Sequence, residues 1–447
     1  MLRCALHDDL FVSLKMNYYS LHRQAPPADF RTATITGQAP DGGLYFPETI
    51  PSFSAGLLTR LRTLPKADLA LTVMRPYVGA AIPEAELHAI GAAALDFAFP
   101  LVPVTADIAA LELFHGPTLA FKDVGARFMS RCLGYFARRG DTPPVTVLVA
   151  TSGDTGGAVA NGFLGVPGVE VVILYPSGKV SPVQEQQLTT LGRNITALEV
   201  SGTFDDCQAL VKQAFQDPIL ARRRFLTSAN SINIARWLPQ QLYYCLAWQQ
   251  WPPEAAPPVV AVPSGNFGNL AAGLLARASG LPLGHFLAAC NANDPVAAYL
   301  RGGSYQPQPT IPTHSNAMDV GNPSNFARIQ ELFGHDFAAL SAALSADTIS
   351  DAATLATIRQ VWGEAGYLLD PHGAVAYAAL HRYLAAHPGQ TGFLLATAHP
   401  VKFPAVVEPI LGRAIPLPEA VRDLQHRPKR SVPLAVEYEA LQAFLLA

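Results

Sequence analysis

Apolar and polar residues change rhythm about a third of the way along the chain. From Val145 onward the apolar positions come in short continuous runs: VTVLVA (145–150), VEVVILY (169–175) and NITALEV (194–200). Each run leads into a glycine- or serine-bearing loop and then a helix-like stretch, namely AVANGF, QEQQLTTLG and the segment around Cys207–Phe215. Unalternated runs of this length predict strands covered on both faces. The pattern returns at VVAVPSGNFGN–LAAGLLARASG, at HFLAACN and at FLLAT (393–397), which ends in an AHP turn. Repeated strand–loop–helix units predict an α/β architecture with parallel sheets. The first hundred residues read differently, with a turn at Asp41-Gly42-Gly43 and helical segments near Ser54–Leu64 and Glu84–Phe97 separated by prolines. They predict a mostly helical N-terminal domain.

Composition narrows the picture. A chain of 447 residues is long enough for two or three domains, and 50% apolar with 15% charged residues fits a well-buried enzyme. The net charge of −3 and the lack of a basic run favour neither nucleic acid nor an anionic membrane. Five scattered cysteines without a CxxC pair argue against a disulfide framework or zinc site and suit the cytoplasm. The opening MLRCALHDDLFVSLK is too short and acidic for a secretory signal, and Met16 is an alternative start. The longest uncharged stretch, roughly 255–276, is broken by Pro257, Pro258 and Pro263, which disfavours a membrane span.

Candidate chemistry lies in loops placed after strands, where ligands bind in open α/β sheets. The sequence contains no G-x-G, no Walker A lysine motif, no HExxH and no G-x-S-x-G elbow. PSGNFGN (263–269) follows a strand and opens a helix; Gly265 and Gly268 allow backbone amides to approach an anion at a helix N-terminus. A ligand-free βα turn fits the same residues. TSGDTGG (151–157) offers the hydroxyls of Thr151, Ser152 and Thr155, and Asp154 reads as a helix cap or as a hydrogen-bond partner for a ligand. Lys122 sits in the apolar stretch LAFKD; desolvation there would lower its pKa and make it a nucleophilic amine, whereas a snorkelling lysine is the commoner outcome. Asp123 and Arg127 have the spacing of a helical ion pair. SANSINIAR (228–236) brings together Asn230, Ser231 and Arg236, a set suited to a phosphate or simply to a capped helix start. His399 and Cys207 read as structural.

Taken in order, APDGGLYFPE, LELFHGPTLAFKD, ATSGDTGGAVA, VVILYPSGK, SANSINIAR, VPSGNFGN, SNAMDVGNPSN and TAHPVKF resemble the threonine synthases, in their longer class with an added N-terminal domain. The resemblance spans roughly residues 17–410. It implies a fold-type II pyridoxal phosphate (PLP) enzyme related to tryptophan synthase β, with two three-layer α/β lobes. The implied domains are residues 1–95, a core at 96–410 with its smaller lobe at about 125–235, and a C-terminal segment at 411–447. By resemblance Lys122 holds PLP as a Schiff base, and Gly265, Asn266, Phe267, Gly268 and Asn269 cradle its phosphate. Thr397 would face the pyridine nitrogen and Asp154 the phenolic oxygen. Thr151, Ser152 and Thr155 would hold the substrate carboxylate; Asn230, Ser231, Arg236 and Lys179 would hold the substrate phosphate.

The implied reaction is a carbon–oxygen lyase step that converts O-phospho-L-homoserine and water to L-threonine and phosphate. The alternatives are a PLP phospho-lyase giving 2-oxobutyrate, a serine or threonine dehydratase, and a non-catalytic metabolite-binding relative. Neither a metal nor a nucleic-acid partner is implied, and the oligomeric state is open between monomer and homodimer.

Overall fold

The computed structural model describes residues 16–140 and 144–447. The reading of the opening fifteen residues, Cys4 included, therefore lies outside the described part. Three sheets organise the chain. The smallest is antiparallel, with Asn17–Ser20 between Ala28–Asp29 and Tyr45–Pro47. Around it lie helices that include Ala55–Leu61, Lys66–Val78 and Glu84–Ala94. The expected helices are thus present, accompanied by a sheet that the pattern did not announce. Strands of two to four residues are too short for alternation to show.

The second sheet has six strands in the spatial order Leu344–Thr348, Phe286–Cys290, Val259–Pro263, Gly392–Ala396, Ile108–Glu112 and Leu101–Pro103. All of its pairings are parallel except at the Leu101–Pro103 edge. The third sheet is wholly parallel and runs Ser431–Leu434, Ile195–Val200, Val169–Pro176, Val145–Ala150 and Phe225–Thr227. Every residue of Val145–Ala150 is buried, because helices cover both faces, and this is why the run is apolar without alternation. Burial of each such valine or leucine contributes about 1.5–3 kcal/mol. The chain end adds the edge strand Ser431–Leu434 to this sheet, and the helix Tyr438–Leu446 packs its Leu441 and Leu445 into the same core. Two α/β lobes result, with a mixed N-terminal element beside them. No helix among the described residues is long and apolar enough to cross a membrane.

Candidate active site

The carboxyl ends of strands from both large sheets face one cavity of about 520 Å³. The turn before Lys122 is set by sequence: Leu119 adopts a left-handed backbone (φ 58°), and its N–H donates to the Gly116 carbonyl. The segment is then bridged to the end of strand Gly392–Ala396. Phe121 N–H donates to the Thr397 carbonyl at 2.8 Å, and His399 N–H to the Leu119 carbonyl at 3.1 Å. Lys122, the first residue of the helix Lys122–Arg138, and Thr397 are thereby held on neighbouring backbone. Both line the cavity.

Lys122 is half-buried; its Nζ makes no hydrogen bond or ion pair with a described residue and lies 5.8 Å from the centre of the Phe121 ring. Burial pushes its ammonium down to about 8; Asp154 opposes that shift, while Lys402 and Arg236 add to it. More of the amine is therefore unprotonated near neutral pH than for an ordinary lysine, and most of it above about pH 8. Capture of PLP by the apoprotein should accelerate as pH rises through about 8, not near the ordinary lysine value. Stopped-flow absorbance against pH measures that midpoint.

Asp154 corrects one expectation. Gly153 occupies the cap of the helix Asp154–Phe163 with φ 133°, a conformation suited to glycine, and a Cβ there would lie 2.4 Å from Gln184. Asp154 does not cap. Its Oδ1 accepts from Lys402 Nζ at 2.6 Å and from Gln184 Nε2 at 2.9 Å. Burial disfavours the charged carboxylate, but Lys402, Lys122 and these hydrogen bonds outweigh it and hold Asp154 well below the usual carboxylate range. Lys402 is fully buried behind Asp154 and also donates to the Thr118 carbonyl at 2.8 Å. Within TAHPVKF this lysine carries no motif that marks it for a role. Its isolation among apolar neighbours was the available signal.

Asp123 likewise departs from the expected pair with Arg127. Its carboxylate accepts from the Thr118 N–H at 2.9 Å and hydroxyl at 2.5 Å, closing the turn, while Arg127 donates to the Ala93 carbonyl. His399 Nδ1 accepts from Val401 N–H, and Cys207 is buried in the smaller-lobe core.

The loop 263–269 forms the far wall. Phe267 takes a left-handed backbone (φ 60°) as the cap of the helix Gly268–Ala278, an unusual state for a bulky residue that brings successive N–H groups to one side. Tyr244 donates to Asn269 Oδ1 at 2.9 Å, and the buried Asn269 Nδ2 has no partner among the described residues. Arg236, which also lines the cavity, is 4% exposed; one guanidinium nitrogen donates to the Ala229 carbonyl, and Nε has no partner among the described residues. Asn230 Oδ1 is also unpartnered. Gly125 makes room for Arg236, since a Cβ there would lie 2.8 Å from its carbonyl.

Thr151 Oγ1 accepts from the N–H groups of Gly153 (3.0 Å) and Gly156 (2.8 Å), which leaves its hydrogen to donate. Ser152 and Thr155 line the cavity beside it, as do Gly265, Asn266 and Ser231. Lys179 is exposed and lies outside this lining.

Buried donors without partners at two places in one cavity call for anionic or polar ligand groups. Together with a desolvated amine, they fit a phosphorylated aldehyde cofactor. Family comparison identifies it. Residues 104–396 match the model described as "Pyridoxal-phosphate dependent enzyme", residues 17–95 "Threonine synthase N terminus" and residues 373–445 "Threonine synthase, C-terminal". The chain is 45% identical to threonine synthase from Haemophilus influenzae over 96% of its length and 100% of that protein's. It superimposes on the crystal structure of threonine synthase from Escherichia coli with TM-score 0.89, at 44% identity over 96% of this chain and 99% of that one. The PLP-bound threonine synthase from Brucella melitensis gives the same TM-score at 37% identity, covering 96% and 98%. The chain belongs to the threonine synthase family of pyridoxal-phosphate dependent enzymes.

Proposed function

We propose that Lys122 both carries PLP and moves the protons of the reaction, and that the cavity holds two phosphates, one of the cofactor and one of O-phospho-L-homoserine. The observation that carries this reading is a single cavity containing one depressed-pKa amine and two buried donors, Asn269 Nδ2 and Arg236 Nε, without partners among the described residues. When bound, the cofactor supplies an electron sink that stabilises negative charge next to the substrate amine.

The backbone of Gly265–Asn269 and Asn269 Nδ2 bind the cofactor phosphate at a helix N-terminus, where the dipole favours an anion. Thr397 would offer a neutral hydroxyl to the ring nitrogen, and Asp154 would serve as a carboxylate acceptor for the phenolic oxygen. Thr151, Ser152 and Thr155 donate hydroxyl hydrogens to the substrate carboxylate. Asn230, Ser231 and Arg236 hold the substrate phosphate, and Arg236 remains to stabilise it as it departs. Lys122, once its amine is free, would take the Cα proton from within the same cavity.

Of the division into residues 1–95, 96–410 and 411–447, the last part completes the smaller lobe through Ser431–Leu434 and Tyr438–Leu446 and is best grouped with the core. The free buried cysteines among the described residues support a cytoplasmic setting. Supplying O-phospho-L-homoserine and measuring phosphate, threonine and 2-oxobutyrate together tests the reading. Phosphate and threonine should form in equal amounts. Phosphate matched by 2-oxobutyrate, with threonine absent, would sink the synthase step and leave the PLP site standing.

A further inference from the structure

Arg328, on the helix Phe326–Leu332, has no exposed surface. Its donors meet neutral oxygens. Nη1 donates to the Ser231 carbonyl at 3.0 Å and to Asn325 Oδ1 at 2.7 Å. Nη2 donates to the carbonyls of Ile232 at 2.6 Å and Tyr45 at 3.2 Å, and Nε reaches Tyr45 at 3.3 Å. The Trp237 ring lies 4.2 Å from the guanidinium carbon. Burial pushes its pKa down to about 9, with no anion among the described residues acting in the other direction. At that value the group keeps its charge at neutral pH.

A buried ion without a counter-ion carries a desolvation penalty that carbonyl dipoles offset only in part. The groups that Arg328 holds indicate where its charge is directed. Asn325 Nδ2 donates to the Asn266 carbonyl at 3.0 Å and to Ser231 Oγ at 3.1 Å. Asn266 Nδ2 donates to the same Oγ at 2.8 Å. A Cβ added to Gly268 would lie 3.2 Å from Ser231 Cβ and 3.3 Å from Asn325 Nδ2, so these residues press directly on the phosphate-binding loop. With two donors on Ser231 Oγ, its own hydrogen is left to donate.

We infer that Arg328 is a positioning residue for phosphate: a permanent cation behind loop 265–269 whose counter-ion is the cofactor phosphate. Resting on the assignment of that loop to the cofactor, the inference also gives the N-terminal segment a task. The Tyr45 carbonyl, from strand Tyr45–Pro47, completes the acceptor set that keeps this cation in place.

Apoprotein of the wild type, Arg328→Met and Arg328→Lys, each checked for folding by circular dichroism, is titrated with PLP and with pyridoxal. The wild type should prefer the phosphorylated form. Arg328→Met should lose at least about tenfold of that preference, as expected for a charge-assisted interaction, with pyridoxal affinity nearly unchanged. Arg328→Lys should recover part of it. An unchanged preference in both variants would overturn the inference and spare the loop assignment, even if the KM for O-phospho-L-homoserine rose. A wild type without preference would overturn the loop assignment and the inference with it. Failure of both variants to fold even with PLP would confine Arg328 to stability and overturn the inference as well.

Discussion

Lys122→Ala should lower turnover by at least about 10⁴-fold, since it removes the covalent attachment and the general base together. The variant should also lose the visible absorbance of lysine-bound cofactor while retaining its fold. Folding should survive because Nζ has no polar partner among the described residues and the side chain is only half-buried. The PLP phosphate should still bind, because the loop 263–269 contributes to the cavity independently of Lys122. Circular dichroism, absorbance and threonine formation measured on one preparation check all three parts. Colour and turnover retained by the alanine variant would remove Lys122 from the site.

Lys402→Met should destabilise folding by about 3–5 kcal/mol, the range for removing one member of a buried ion pair. Lys402 is 0% and Asp154 4% exposed, so solvent screening does little to soften the loss. The double variant with Asp154→Asn should be less damaged than the single one, because no unpaired charge then remains. The pH dependence has a definite sign. Lowered in the folded protein, Asp154 contributes stability that is present above the ordinary carboxylate pKa and lost as pH falls toward the folded value. Wild-type stability should therefore fall through the acid range, and Lys402→Met should lose most of that slope. Urea unfolding at neutral pH and at successively lower pH measures both. A destabilisation below about 1 kcal/mol, in the range of an exposed pair, would show that the ion pair matters little.

Much of the core was legible because parallel strands covered on both faces leave long apolar runs. Val145–Ala150 was bounded to the residue, and Val169–Pro176 and Ile195–Val200 to within one. The loops that follow were legible because glycine and hydroxyl residues interrupt such runs abruptly. Local rules failed where a distant residue took the partner. Asp154 resembles a helix cap in sequence, yet Lys402, far along the chain, captures it. Arg127 has the spacing to pair with Asp123 but reaches the Ala93 carbonyl, leaving Asp123 to the Thr118 turn. Arg328 lies in an ordinary helical stretch, FARIQEL, and its acceptors come from residues 45, 231 and 232. No spacing rule encodes such a set. Lys179 follows the strand Val169–Pro176 and sits beside a promising turn, but the turn leaves it exposed and outside the cavity lining.

Two buried or half-buried lysines stand close to one carboxylate in this site, and only one is free to react. Lys402 is committed to Asp154 and Thr118, whereas Lys122 is not. Borohydride reduction of the holoenzyme, followed by proteolysis and mass mapping, fixes the cofactor on the amine that holds it. The pyridoxyl phosphate adduct should map to Lys122, in the peptide carrying HGPTLAFKD, and to no other lysine. An adduct on Lys402 or Lys179, with Lys122 unmodified, would contradict the account at its centre.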